Sequence, residues 1–277
     1  MTPNKLLCKA WTPLGVCTVV GLCVAQIGLA QNLTATQSGV PNVDILAAPS
    51  ADYTAAVNGF FGVERSPDLN KWLPYGIVLI NRTTQPIVAV AARWESSGER
   101  PTGRWVLEYQ AFNTPGHQLA PGKTAVAFPN LTLLLDGSRL PPQFQPGSQA
   151  RATDLSTLQT AASVQFTLDG VVFASGQFVG PNGAQEYEEY VAETTVPAQI
   201  SGKVLAMQAA SEPVQAILAW LQSTVNQPID RKADGWRNSV VARRTARQLL
   251  TSYQSGGAMR LSETAQALQA SPIQLYR

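Results

Sequence analysis

Apolar and polar positions alternate through the middle of the chain and recur every three to four residues towards its end, so strands are predicted first and helices afterwards. GIVLIN (76–81) is a nearly continuous apolar run. Beyond the polar loop NRTTQP, IVAVAARW (87–94) sets Val88, Val90, Ala92 and Trp94 on one face by a period of two. WVLEYQAF (105–112) turns Trp105, Leu107, Tyr109 and Ala111 inward and Glu108 and Gln110 outward, the signature of a half-buried antiparallel sheet. TAVAF (124–128) and LTLLL (131–135) follow the turn APGK. Short strands at this spacing, with turn residues between them, favour a β-sandwich over a βαβ fold.

The last strand signal is QFTLDGVVFASGQFVGPN (165–182). Taking Asp169-Gly170 as a two-residue turn predicts a hairpin in which Leu168 faces Val171 and Phe166 faces Phe173. Val164, Phe166, Leu168, Val171 and Phe173 then share one face, and Asp169 is a turn residue rather than a catalytic acid. Past Pro181 the period is helical. Asn182 with Gln185 resembles a capping box for a helix over 183–194, with Glu186, Glu188 and Glu189 in its early turns. A second helix is predicted from a Ser211 cap, with Val214, Ile217, Leu218, Leu221 and Val225 as its apolar stripe. A third covers 234–255, closed by Gly256-Gly257, and a fourth starts at Ser262. Short helices of this kind need something to dock on: the sandwich, each other in an oligomer, or a partner.

Before the strands lie two further segments. Residues 31–72 contain two short strand candidates, VDILA (43–47) and GFFGV (59–63), and are read as a lead-in packing on the next domain. Residues 1–30 combine Lys5 and Lys9, an apolar stretch from Trp11 to Ala30, and small residues at Gly28 and Ala30, which is the pattern of a secretory signal peptide. A retained membrane anchor is the alternative. The predicted map is therefore a leader (1–30), a lead-in (31–72), a mainly β sandwich domain (73–180) and a small helical C-terminal region (181–277).

Cleavage of that leader would remove Cys8, Cys17 and Cys23, all the cysteines of the chain, and leave a mature protein without thiols or disulfides. A lone histidine, His117, in the turn-rich stretch NTPGHQLAPG then comes close to excluding both a zinc site of several His and Cys ligands and a serine or cysteine triad, and His117 is read as a loop residue rather than a ligand. No cofactor motif is present: Gly180 and Gly183 make no phosphate loop, and Asp136-Gly137-Ser138 is the wrong order for an aspartic protease. YEEY (187–190) gathers Glu186, Glu188, Glu189 and Glu193 and is read as a solvated acidic helix face anchored by Tyr187 and Tyr190. Charge is segregated along the chain. Residues 31–199 carry 9 bases and 14 acids, whereas residues 200–277 carry 9 bases and 4 acids. Within the basic part, Arg243, Arg244 and Arg247 lie along one predicted helix and are the candidate contacts for an acidic partner; a solvated basic face is the plain reading. Asn32, Asn81 and Asn130 each begin a glycosylation sequon, which matters only in a cell that modifies such sites.

Two passages resemble a known group. INRTTQPIVAVAARW and LDGVVFASGQFVGPN, followed by an acidic helix, are similar to uncharacterised exported bacterial proteins with an immunoglobulin-like or fibronectin-like sandwich. Thr83 and Gln85 replace that group's usual Ser and Lys, and Ser175 stands where an acid is common. The likeness spans about residues 74–195 and implies a fold and an export route to the periplasm or beyond, not an activity. The expected function is a non-enzymatic envelope protein, binding or structural, with an envelope protein or acidic molecule as partner, and neither nucleic acid nor a membrane span in the mature chain. The alternative is a carboxylate-dependent hydrolase of the envelope, for which Glu108, Asp136 or Glu188 would have to pair in a cleft.

Overall fold

A computed structural model describes residues 33–36, 39–98, 103–112, 116–129, 133–135, 152–269 and 273–277. The leader with its cysteines, two of the sequons (Asn32 and Asn130) and Asp136 lie outside the described residues. All described residues belong to one unit, Asn32–Arg277.

Among the described residues nine strands form two sheets. The first sheet orders β1 (Leu33–Thr36), β8 (Ser163–Phe173), β4 (Ile87–Ser97) and β5 (Arg104–Gln110), with β9 (Phe178–Val179) also paired to β8. The second orders β2 (Val43–Ala47), β3 (Ile77–Asn81), β6 (Thr124–Ala127) and β7 (Leu134–Leu135). Every pairing is antiparallel except β1 with β8. Both sheets contribute to one hydrophobic core, which includes Ile77, Leu79, Val90, Trp94, Trp105, Leu107, Tyr109 and Phe166. Trp94 sits edge-on to Phe166 at 4.9 Å between ring centroids. Its buried indole N–H donates to the Tyr75 carbonyl at 2.9 Å, so the largest core side chain carries no unpaired donor.

The chain is not mainly β: among the described residues, helical positions outnumber strand positions. The excess has two origins. GFFGV forms no strand, because Ser50 caps α1 (Ala51–Phe61) by accepting the Tyr53 N–H at 3.2 Å, and the helix runs on through Phe61. A second capped helix, α2 (Pro67–Trp72), follows with Ser66 as its cap and Pro67 in its first turn. A third, α3 (Ala152–Thr160), precedes β8. The other origin is α4 (Glu186–Ala209), which continues well past 194 because it accommodates Pro197 in its interior.

The C-terminal helices are α4, α5 (Val214–Asn226) and α6 (Trp236–Gln269). Val204, Ile217, Leu221, Ala246, Leu249, Leu261 and Ala265 make a second, smaller core there. The predicted stripe of α5 thus docks on α4 and α6. Ser211 is no cap; it adopts a left-handed conformation and Pro213 stands at the α5 N-terminus. The break at Gly256-Gly257 falls where the sequence places it, with Gly257 at φ +67, and helix resumes at once instead of at Ser262.

Candidate functional site

Asp-Gly is the sequence of a tight turn, yet Asp169 and Gly170 lie inside β8, which pairs with β4 along its length. Ala91 is opposite Gly170 and Ala92 is opposite Leu168, so Asp169 is the extra residue of a β-bulge. A bulge shifts the alternation by one position just as a turn would. Val164, Phe166, Leu168, Val171 and Phe173 all reach the main core as predicted, without a hairpin at this point. Gly170 is required because the Phe178 ring lies where a Cβ would stand, 2.3 Å from that position. The chain reverses later, at residues 174–177, before β9. A second register shift, between Ile87 and Ala89, puts Val88 on the opposite face from Val90, Ala92 and Trp94.

The bulge aims the Asp169 side chain away from the main core, where it is 2% exposed. Arg93, on the same face of β4, donates to its Oδ2 at 2.6 Å, and the Ala184 N–H donates to the same atom at 3.0 Å. Oδ1 has no hydrogen-bond partner among the described residues. The Asp169 carbonyl accepts the Asn182 N–H at 3.0 Å, so this acid holds both ends of the entry into α4. Asn182 does not form a capping box. Its Oδ1 accepts the Tyr187 N–H at 2.7 Å and its amide donates to Glu188 at 2.8 Å, while Gln185 stands left-handed at the helix start.

From here α4 lays its first turns on the outer face of the first sheet. Tyr190 is fully buried there with Val88, Ala89, Ala91, Val172 and Phe178, edge-on to Phe112 at 5.8 Å. Its neighbours correct the reading of a solvated acidic face: Glu186 is 8% exposed, and the side chains of Glu189 and Glu193 are 20% and 12% exposed. Only Glu188 of the four is exposed. Arg237 of α6 pairs with Glu189 at 3.1 Å and donates to Gln185 at 3.1 Å. Arg244 pairs with Glu193. The two rungs form a ladder between α4 and α6, and the basic surplus of the C-terminal part meets the acidic surplus of the preceding part inside the molecule. Glu186 forms no ion pair among the described residues. Burial, then the fields of Glu108 and Glu189, push its carboxyl up to about 7. Burial and Glu193 raise Glu189 as well.

The candidates from sequence are dispersed over this surface. Arg244 is a rung of the ladder, Arg243 donates to the Gln227 carbonyl, and Arg247 is exposed. Glu108 is exposed on β5 close enough to influence Glu186; Glu188 is tied to Asn182. His117 is an exposed loop residue whose carbonyl accepts the Tyr109 hydroxyl. Asn81 is buried: its amide donates to Gln85 and Leu119 carbonyls, both at 2.8 Å, and its oxygen accepts from Thr83, so its sequon residues knot the β3–β4 loop. Missed entirely were Arg93 and Arg237. The usable signal for Arg237 was its place directly after Gly235-Trp236 at a helix start, opposite an acid-rich helix in a chain with segregated charge.

Beside the ladder opens a groove of about 540 Å³, lined by Gln185, Glu188, Arg231, Lys232, Trp236 and Arg237 among others. Both Arg231 and Arg237 lie over the Trp236 ring, at 5.9 and 4.8 Å from its centroid. Among the described residues no group of three or more His, Cys, Asp or Glu side chains is arranged to hold a metal ion, and no helix is long and apolar enough to cross a membrane. Comparison with protein-family models, with curated proteins and with solved structures returned no match for this chain.

Proposed function

We propose that the chain is an exported, non-enzymatic protein of the bacterial envelope, a binding or structural module in which an immunoglobulin-like pair of sheets carries a helical part. The observation that supports it best is the use of its sheltered carboxylates. Asp169 pairs with Arg93 of the neighbouring strand and accepts the Ala184 N–H ahead of α4, while Glu189 and Glu193 pair with arginines of α6, so these acids tie elements to one another instead of facing a cleft. The accessible charges nearby belong to the groove by Trp236. Crosslinking in the source cell followed by isolation of the envelope tests this reading. The expected result is a discrete adduct with one envelope component, on a chain whose intact mass begins at or near Gln31; a chain retained in the cytoplasm without any adduct would overturn it.

One observation favours the second reading, a carboxylate-dependent hydrolase. Glu186 has the protonation behaviour of a general acid near neutral pH, beside Glu108 and Glu189. Turnover of an envelope polymer by the purified protein, lost in a folded Glu186→Gln variant, would select it.

A further inference from the structure

We propose that the groove at the start of α6 binds an acidic peptide segment of a partner protein through Arg231 and Lys232. This rests on the reading of the chain as a binding module and names the chemistry of the partner. The key difference lies between the two arginines on Trp236. The N–H edge of Arg237 is consumed by Glu189, Gln185 and the Ala184 carbonyl. Arg231 is exposed, and its guanidinium, 5.9 Å from the centroid of the indole ring, has no acceptor among the described residues. A guanidinium over an aromatic face with no acceptor keeps its fork of donors free, and that fork can take a carboxylate in two parallel hydrogen bonds. Lys232 adds a second exposed cation.

The backbone adds to the same field. The groove includes the first residues of α6, whose N-terminal N–H groups add positive partial charge; the first turn holds no acid, and Asp234 stands just ahead of it. The ligand is not a bare anion, because Glu188 and Asp234 also line the groove. They accept hydrogen bonds from N–H donors, which inorganic phosphate lacks. A peptide with Asp or Glu side chains supplies both, carboxylates for Arg231 and Lys232 and amides for the acids.

Calorimetric titration of the full chain with a capped tetraglutamate peptide, a capped tetraglutamine peptide and inorganic phosphate tests the proposal. Tetraglutamate should bind at least about tenfold more tightly than either of the others, with affinity falling as salt is raised. The double variant Arg231→Ala, Lys232→Ala should lose about tenfold or more with an unchanged circular dichroism spectrum, and Arg231→Lys should lose part of that because the fork is gone. Equal binding of tetraglutamine, equal binding of phosphate, or an unaffected double variant would overturn it. If the double variant still forms the envelope adduct of the wild type, the groove assignment falls and the binding-module reading stands. If the wild type forms no adduct, that broader reading falls, while the titration still decides the groove.

Discussion

The two hydrophobic cores of this protein are built in different ways. Between the sheets, Trp94, Tyr75, Phe128 and Phe166 are all less than 2% exposed, and the core extends into α1 and α2 through Tyr53, Val57, Leu69 and Trp72. The helical core has no fully buried aromatic side chain: it is Val204, Ile217, Leu221, Leu249 and Leu261 with two alanines. The α4–α6 seam also carries the ladder of Glu189 with Arg237 and Glu193 with Arg244. Large aromatic rings hold a sheet pair together by area. Small side chains allow close helices but leave more of the orientation to charge.

Substitutions can break this comparison, and the largest effect belongs to the aromatic core. Phe166→Ala removes the ring packed on Trp94 and should cost about 4 kcal/mol, lowering the denaturation midpoint for every spectroscopic probe at once. Leu249→Ala should instead lose helical signal first, with near-ultraviolet signal from the aromatic sheet core surviving to higher denaturant; coincident loss in both variants would mean the cores are not separate. Next comes Asp169→Asn, which leaves Arg93 facing a neutral amide in a largely buried pair and should cost about 3 kcal/mol by urea denaturation. Changing both members to apolar residues of similar size should recover much of that loss.

A third, pH-dependent effect is up to about 3 kcal/mol, reached only if Glu186 stays buried when ionised. With its folded pKa near 7 against an ordinary 4.5, Glu186 binds its proton more tightly in the folded protein. Its contribution is fully present below pH 4.5 and is lost as pH rises through 7, so thermal stability should fall across that window. In Glu186→Gln this fall should be shallower; an unchanged slope would remove Glu186 from the account. The smallest effects separate the arginines of α6. Arg244→Ala strands Glu193 and should cost about 1 kcal/mol, whereas Arg247→Ala should stay within about 0.5 kcal/mol.

Local periodicity was legible in the sequence where each residue has one environment. Trp105, Leu107, Tyr109 and Ala111 face the core as alternation says, and the Gly256-Gly257 break stands where two consecutive glycines put it. Misreadings arose where one local pattern serves two structures. A phase slip at Asp169-Gly170 is produced by a turn or by a bulge, and only the partner strand β4 decides between them. Glu189 and Glu193 look solvated until arginines 48 to 51 residues away arrive opposite them, and no short-range pattern marks that meeting. For the same reason the Arg93–Asp169 pair, separated by 76 residues, was invisible while each strand was readable.

The pairing of β1 with β8 sets an order of events. Leu33 lies beside Val164, so β1 finds its partner only when β8, far along the chain, is available. The helices α4, α5 and α6 need only neighbours in sequence and can assemble quickly. During synthesis, then, β1 waits unpaired through some 130 residues before its partner exists. Its short LTAT segment, with a single buried leucine, is poorly suited to capture another chain in that interval, and slow closure of the sheet is thereby kept from becoming aggregation.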